Sequence, residues 1–228
     1  MAQSSTLQQL QQDALLRADM LNTQFASIPE LTRYINQGIR ELYEQLCVSS
    51  QDYYLSQATI TTSNGTDTYP LPPDFFWLRG VDVNLGGQQL FPARRFNWEE
   101  RDAYKLQGTG WYWDQPVWYD LRGPNIVTLP APQGVYSLML WYYPTAPTLS
   151  ASDDTFDAVN GWDELITLSA AIKLLTREES WDAVDRLKQD YAETKARVQS
   201  MSTKRNAGQG PRITDVFRGR TPYRRRIS

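Results

Sequence analysis

The chain has 228 residues, 41% of them apolar and 12% aromatic, enough to bury one core or one core with an inserted module and too rich in rings to stay unfolded. It contains no histidine and a single cysteine, which excludes an internal disulfide, a structural zinc site and the imidazole base of most acid–base and nucleophilic catalysis. The net charge of −3 hides a split: residues 204–228 carry eight basic side chains against Asp215, a net +7, and the remainder carries −10.

No stretch approaches the ~20 apolar residues of a membrane span, and the first residues, MAQSSTLQQLQQDALLR, lack an apolar signal core. A soluble protein made in the cytoplasm, with no membrane partner, is expected. A weak helical period runs from Leu7 to Leu21, with Leu7, Leu10, Ala14 and Met20 on one face. The first strongly periodic segment is SIPELTRYINQGIRELYEQLC. Ser27 is placed as N-cap, Glu30 as its capping-box partner and Pro29 in the first turn. Ile28, Leu31, Ile35, Ile39, Leu42 and Leu46 form the apolar face, Tyr34 and Tyr43 widen it, and Cys47 closes it as a core residue.

From Tyr53 to about Tyr143 the period changes to that of strands. YYLSQATITT and YSLMLWYYP are β-branched or aromatic runs of strand length. GVDVNL and QQLF flank Gly86-Gly87, which predicts a hairpin with a two-residue turn at positive φ. PVWYDLR and NIVTLP flank Gly123-Pro124, a second hairpin with Trp118 and Leu121 on opposite strand faces. Between the hairpins, NWEERDAYK reads as a short helix capped by Asn97, with Glu99 and Glu100 in its first turn. In LPPDF, Pro72 and Pro73 fix the backbone and Asp74 turns it, sending Phe75, Phe76, Trp77 and Leu78 toward the core.

An acidic loop, Ser152 to Asp157, leads back to helices. WDELITLSAAIKLLTREES puts Trp162, Leu165, Ile166, Leu168, Ile172 and Leu175 on a broad apolar face. Ser180 is placed to cap a last helix with Val184, Leu187, Tyr191 and Val198 inward, and Asp185–Lys188 and Glu193–Arg197 are its surface charge pairs. Asp153, Asp154, Asp157, Asp163 and Glu164 lack the glycine-centred spacing of a calcium loop and suit a helix N-terminus instead. No glycine loop has the lysine and spacing of a phosphate site. Neither catalytic residues, nor a metal, nor a cofactor are expected.

Two features remain for function. Trp111, Tyr112, Trp113 and Trp118, followed by Trp141–Tyr143, are too many rings for one loop and strand to bury, so part are expected in the core and part at a subunit interface; a carbohydrate or base platform is the alternative. The C-terminal segment, broken by Gly208, Gly210, Pro211, Gly219 and Pro222, reads as an extended arm. Its docking residues are Arg212, Ile213, Val216, Phe217, Arg218, Arg220, Tyr223, Arg224, Arg225 and Arg226. Arginines alone would suit phosphates, with salt-dependent affinity, whereas apolar anchors between them suit a protein groove; a solvated tail is the third reading.

The helix ELTRYINQGIRELYEQL, the segment TYPLPPDFFWLRGVDVN (Tyr69, Leu71, Pro72, Asp74, Phe75, Leu78 and Val81 above all) and NIVTLPAPQGVYSLMLWYYPTAPTL leading into two helices together resemble the tailed-bacteriophage head-to-tail adaptor proteins, also called connector or head-completion proteins. The resemblance covers about residues 25–200 and implies an α+β fold: bundle helices over 1–50 and 151–202, a β-rich insertion over 51–150 and an extended basic docking arm over 203–228. It further implies a structural, non-enzymatic ring, commonly of twelve copies, in the virion neck. The implied partners are the portal protein, tail or nozzle proteins, and genomic DNA that passes through a channel without sequence-specific binding.

Overall fold

The structure, a computed structural model, describes residues 4–21, 26–49, 52–87, 89–106, 111, 117–157 and 161–205. The fold is α+β. Helices α1 (Leu7–Arg17), α2 (Ile28–Ser49), α4 (Glu164–Arg177) and α5 (Trp181–Arg205) bury a core of Leu10, Ile35, Ile39, Leu46, Ile166, Leu174 and Val184, each fully enclosed. The weak period over 7–21 is a real helix because Thr6 and Gln9 form a reciprocal capping box, and Leu7, Leu10, Ala14 and Met20 are all buried. Strand β1 (Ser4–Thr6) precedes it and pairs antiparallel with β10 (Thr155–Asp157). The reading of 152–157 as a loop therefore missed a strand, one too short to show a period and paired with a partner far away in the chain.

In α2 the predicted face is buried except at Ile28, which is 70% exposed. Glu30, two residues later, already pairs with Arg177 at the last residue of α4, so α4 has nothing left to cover Ile28. Gly38 lets the two backbones approach: a Cβ there would lie 3.2 Å from both the Cα and the carbonyl oxygen of Ile166. On α5, Lys188 pairs with Asp185 as expected, but Arg197 turns away from Glu193 to join Arg17 on Glu164, at 2.9 and 2.8 Å. Glu164 has two carboxylate oxygens, and each takes one guanidinium: Oε1 accepts from Arg17 and Oε2 from Arg197. Ser180 starts α5 through its carbonyl, which accepts from Ala183 and Val184, while its hydroxyl donates to Glu178.

The described residues in the middle of the chain form two four-stranded sheets. One has the order β2 (Ser56–Thr61), β9 (Ser137–Pro144), β4 (Phe75–Asn84), β5 (Leu90–Pro92). The other has the order β3 (Thr68–Pro70), β8 (Asn125–Leu129), β7 (Trp118–Arg122), β6 (Arg94–Arg95). Tyr69, Val81, Val83, Ile126, Leu138 and Leu140, drawn from both sheets, share a second core. The β7–β8 hairpin turns at Gly123-Pro124, with Arg122 opposite Asn125 and Gly123 at φ 57°. The β4–β5 hairpin exists but its loop is longer than the predicted two residues, since Asn84 pairs with Leu90. Asn84 Oδ1 accepts from the N–H groups of Gly86 and Gly87, which rounds the loop, and only Gly86 of the two glycines takes positive φ. The short helix after Asn97 begins as a 3₁₀ turn (Trp98–Glu100) and continues as α3 (Arg101–Leu106).

The proline segment turns the chain as predicted: Phe75 N–H bonds the Pro72 carbonyl, and Asp74 accepts from Tyr142 Oη at 3.0 Å. The inward swing of all four following side chains does not occur. Phe75 and Leu78 pack on the β core, whereas Phe76 and Trp77 are 46% and 50% exposed. A strand offers one inward residue in two, and a register shift between Phe75 and Trp77 faces Phe76 and Trp77 outward together.

Tyr43 and Cys47 of α2 meet Tyr143 of β9 where helices and sheet join, with Tyr54 and Leu55 packed against them. The returning chain is fastened by Asn36. Its Nδ2 donates to the Leu149 carbonyl at 2.8 Å and its Oδ1 accepts from the Leu149 N–H at 2.9 Å, all in the buried interior.

Candidate functional site

Side chains with chemical potential are mostly committed to holding the fold. Asp154 Oδ2 accepts from the N–H groups of Ser150 and Ala151 at 2.7 and 2.8 Å, and these bonds hold its carboxyl below the usual value. Asp157 accepts from Tyr53 Oη and, through its carbonyl, from Tyr54 Oη. Asp163 accepts from Ser5 Oγ at 2.5 Å, and Glu164 holds two arginines. Among the described residues no group of three or more acid, cysteine or histidine side chains is arranged to hold a metal ion. Cys47 is buried and its thiol is pushed up to about 11, while burial also raises the phenols of Tyr43 and Tyr54 far above their ordinary value. Tyr43 and Cys47 are buried packing groups, and Tyr54 is partly buried against them.

An open cleft of about 480 Å³ lies between α1 and α4, lined by Asp13, Leu16, Arg17, Asp163, Glu164 and Thr167. The Arg17–Glu164–Arg197 network crosses it, so its central carboxylate is already satisfied. No helix among the described residues is long and apolar enough to cross a membrane.

The aromatic residues separate into three groups. Trp111 is 3% exposed in the β core, donates Nε1–H to the Pro130 carbonyl at 2.6 Å and stacks on Tyr136. It belongs to the interior of its own chain, which removes it from any exposed glycan platform. Tyr142 and Tyr143 are buried as well, and Trp118 is half-buried on β7 opposite Leu129. Tyr112 and Trp113 lie outside the described residues. Among the described residues the exposed rings are Phe76, Trp77, Trp98 and Trp181. The guanidinium groups of Arg122 and Arg101 lie over the Trp98 ring, 4.4 and 5.2 Å from its centroid, and the Arg122 contact ties the 3₁₀ turn to the β7–β8 hairpin. Phe76 and Trp77 were missed as surface residues; the signal was present, since a run of four apolar side chains on one strand cannot face inward together.

Helix α5 extends through Arg205, so Lys204 and Arg205, assigned by sequence to the arm, continue the bundle. Glycine and proline, the breakers on which the arm assignment rested, begin only at Gly208. Arg212, Ile213, Val216, Phe217, Arg218, Arg220, Tyr223, Arg224, Arg225 and Arg226 lie outside the described residues.

What the geometry presents, then, is surface: a helical bundle fused to a two-sheet module, fastened by buried polar clamps, with exposed aromatics on a sheet edge. No curated protein matches the chain. The family model of the SU10 adaptor protein matches residues 5–215, from the first strand past the end of α5, and the chain therefore belongs to that family of structural phage adaptors.

Proposed function

We propose that this adaptor assembles as a ring, of twelve copies in the form usual for such proteins, between the portal and the tail in the virion neck. Its basic C-terminal arm grips the portal protein, its opposite side meets tail or nozzle proteins, and the ring continues the channel through which the genome passes. The observation that carries this reading is family membership over residues 5–215 joined to a terminal segment of opposite charge to the body. Apolar Ile213, Val216, Phe217 and Tyr223 between the arginines favour side-chain pockets on a protein over a phosphate backbone. An acidic body lets DNA slide past it without adhering.

The test is reconstitution. Full-length protein and a chain ending at Arg205 are mixed with purified portal rings and imaged by electron microscopy. The full-length chain is expected to decorate the portal and the shortened chain to lose most of that binding. Equal decoration by both removes the arm from the mechanism, and no decoration by either defeats the adaptor–portal assignment. Tight, strongly salt-dependent binding of duplex DNA lost with the arm would favour a nucleic-acid role.

A further inference from the structure

We propose that the sheet β2-β9-β4-β5 runs on from one copy of this chain into the next, the outer edge of β2 being covered by the β4 side of a neighbouring copy. The inference deepens the ring reading above and rests on it.

The first observation is the edge of β2. Ser56–Thr61 pairs with β9 in an unbroken register from Ser56–Tyr142 to Thr61–Ser137, and no described strand lies on its other side. Among the described residues, no backbone hydrogen bond leaves Ser56–Thr61 except to β9. The strand reads SQATIT: no charge, no proline, no glycine and no bulge. Those are the devices by which soluble proteins prevent an edge from recruiting another strand, and β2 has none of them. Ala58 and Ile60 face the β core while Gln57, Thr59 and Thr61 are exposed, so one face of an added strand would continue the core and the other would meet hydroxyls and an amide.

The second observation lies at the opposite edge of the same sheet. β5 pairs with β4 only over Asp82–Asn84, and Ala93 N–H reaches the Val81 carbonyl, so Phe75–Gly80 have β9 on one side and no described strand on the other. Register shifts between Phe75 and Trp77 and between Leu78 and Gly80 leave this stretch with four positions in register on β9 (Phe75, Trp77, Leu78 and Gly80), which a β2 strand would meet over part of its six residues. Here stand Phe76 and Trp77, both about half exposed, and a Cβ placed on Gly80 would meet nothing within 4 Å. The one charge, Arg79, is paired with Asp52 at 3.2 Å, so covering this edge leaves no lone ion. Two open segments on opposite edges of one sheet fit a head-to-tail contact, the kind that closes into a ring; a two-fold contact would use one edge twice. Main-chain pairing gives such a contact its register and the two rings give it apolar cover.

The experiment is a covalent ladder. The double variant Thr59→Cys/Phe76→Cys and each single variant are treated with a short bis-maleimide, on portal rings and as the chain alone at high concentration, with wild type controlling for buried Cys47. The double variant is expected to give a ladder ending in a closed ring, and the single variants none. In parallel, Thr59→Lys, which puts an unpaired charge into the contact, is expected to lower ring occupancy on the portal about tenfold or more with unchanged circular dichroism. Dimers from Thr59→Cys alone would mean a two-fold contact and overturn the inference. Portal-bound rings without a ladder would overturn it while leaving the adaptor reading standing. Absence of any ladder from the chain alone together with no portal binding defeats both.

Discussion

Replacing Asn36 by alanine removes both bonds to the Leu149 peptide while changing no packing contact larger than a carboxamide. In the native fold the amide spans Leu149 at 2.8 and 2.9 Å, and both residues are under 10% exposed, at 7% and 3%. The mutation leaves a buried N–H and a buried C=O without partners, each costing about 1–3 kcal/mol, so a loss of about 2–6 kcal/mol is expected. With a urea slope of about 2 kcal/mol/M the unfolding midpoint falls by about 1–3 M. Tryptophan fluorescence and far-ultraviolet circular dichroism in urea read this directly. Asn36→Asp keeps the acceptor for Leu149 N–H but sets a second oxygen against the carbonyl, so it should also destabilise, which a purely steric role for Asn36 does not predict. Gln37→Ala, one residue along and exposed, is the control and should stay within about 0.5 kcal/mol of wild type. If Asn36→Ala also stays within that margin, the clamp contributes nothing and the account of how the returning chain is fastened is wrong.

Gly38→Ala sets a methyl 3.2 Å from backbone atoms of Ile166 that cannot rotate away. Overpacking of about 1–3 kcal/mol should outweigh a helical gain of about 1 kcal/mol, and thermal melts should show lower stability for alanine and lower still for valine. A higher melting temperature for alanine would show that α2 and α4 move apart freely. Cys47, with its thiol raised to about 11 and its side chain buried, should react with a thiol reagent at pH 8 about 100-fold more slowly in the native protein than in denaturant. Equal rates would place it at the surface. Asp154 has a folded value below 3.8, so its stabilising effect is present above 3.8 and is lost as pH falls through the lower folded value. The stability gap between wild type and Asp154→Asn, followed by urea titration at stepped pH, should therefore be constant near neutrality and close in acid; a gap independent of pH contradicts the role of the Ser150 and Ala151 N–H groups.

Helical period was legible where one face is buried along many turns: α2, α4 and α5 follow from their leucines and isoleucines, because a solvated outer face and a dry inner face leave a repeating trace. The β7–β8 turn was legible for the same local reason, since Gly123 sits at positive φ between two strands in register. Elements that exist only through distant partners left no such trace. Strand β1 pairs across the chain with β10, and Arg197 chooses Glu164 over Glu193 because the fold brings that carboxylate to it.

The aromatic residues divide along the same line. Sequence determined that this chain has more rings than one loop can bury, a charge split between body and terminus, and no histidine for catalysis. Which ring is inside depends on register and bulges: Trp111, one of a cluster expected to divide between core and subunit interface, is sealed under Tyr136, while Phe76 and Trp77, expected in the core, face outward at a shift in the β4 ladder. Composition and period are local sums that a chain carries with it; the side of a sheet on which a residue ends is fixed only when its strand meets its neighbours.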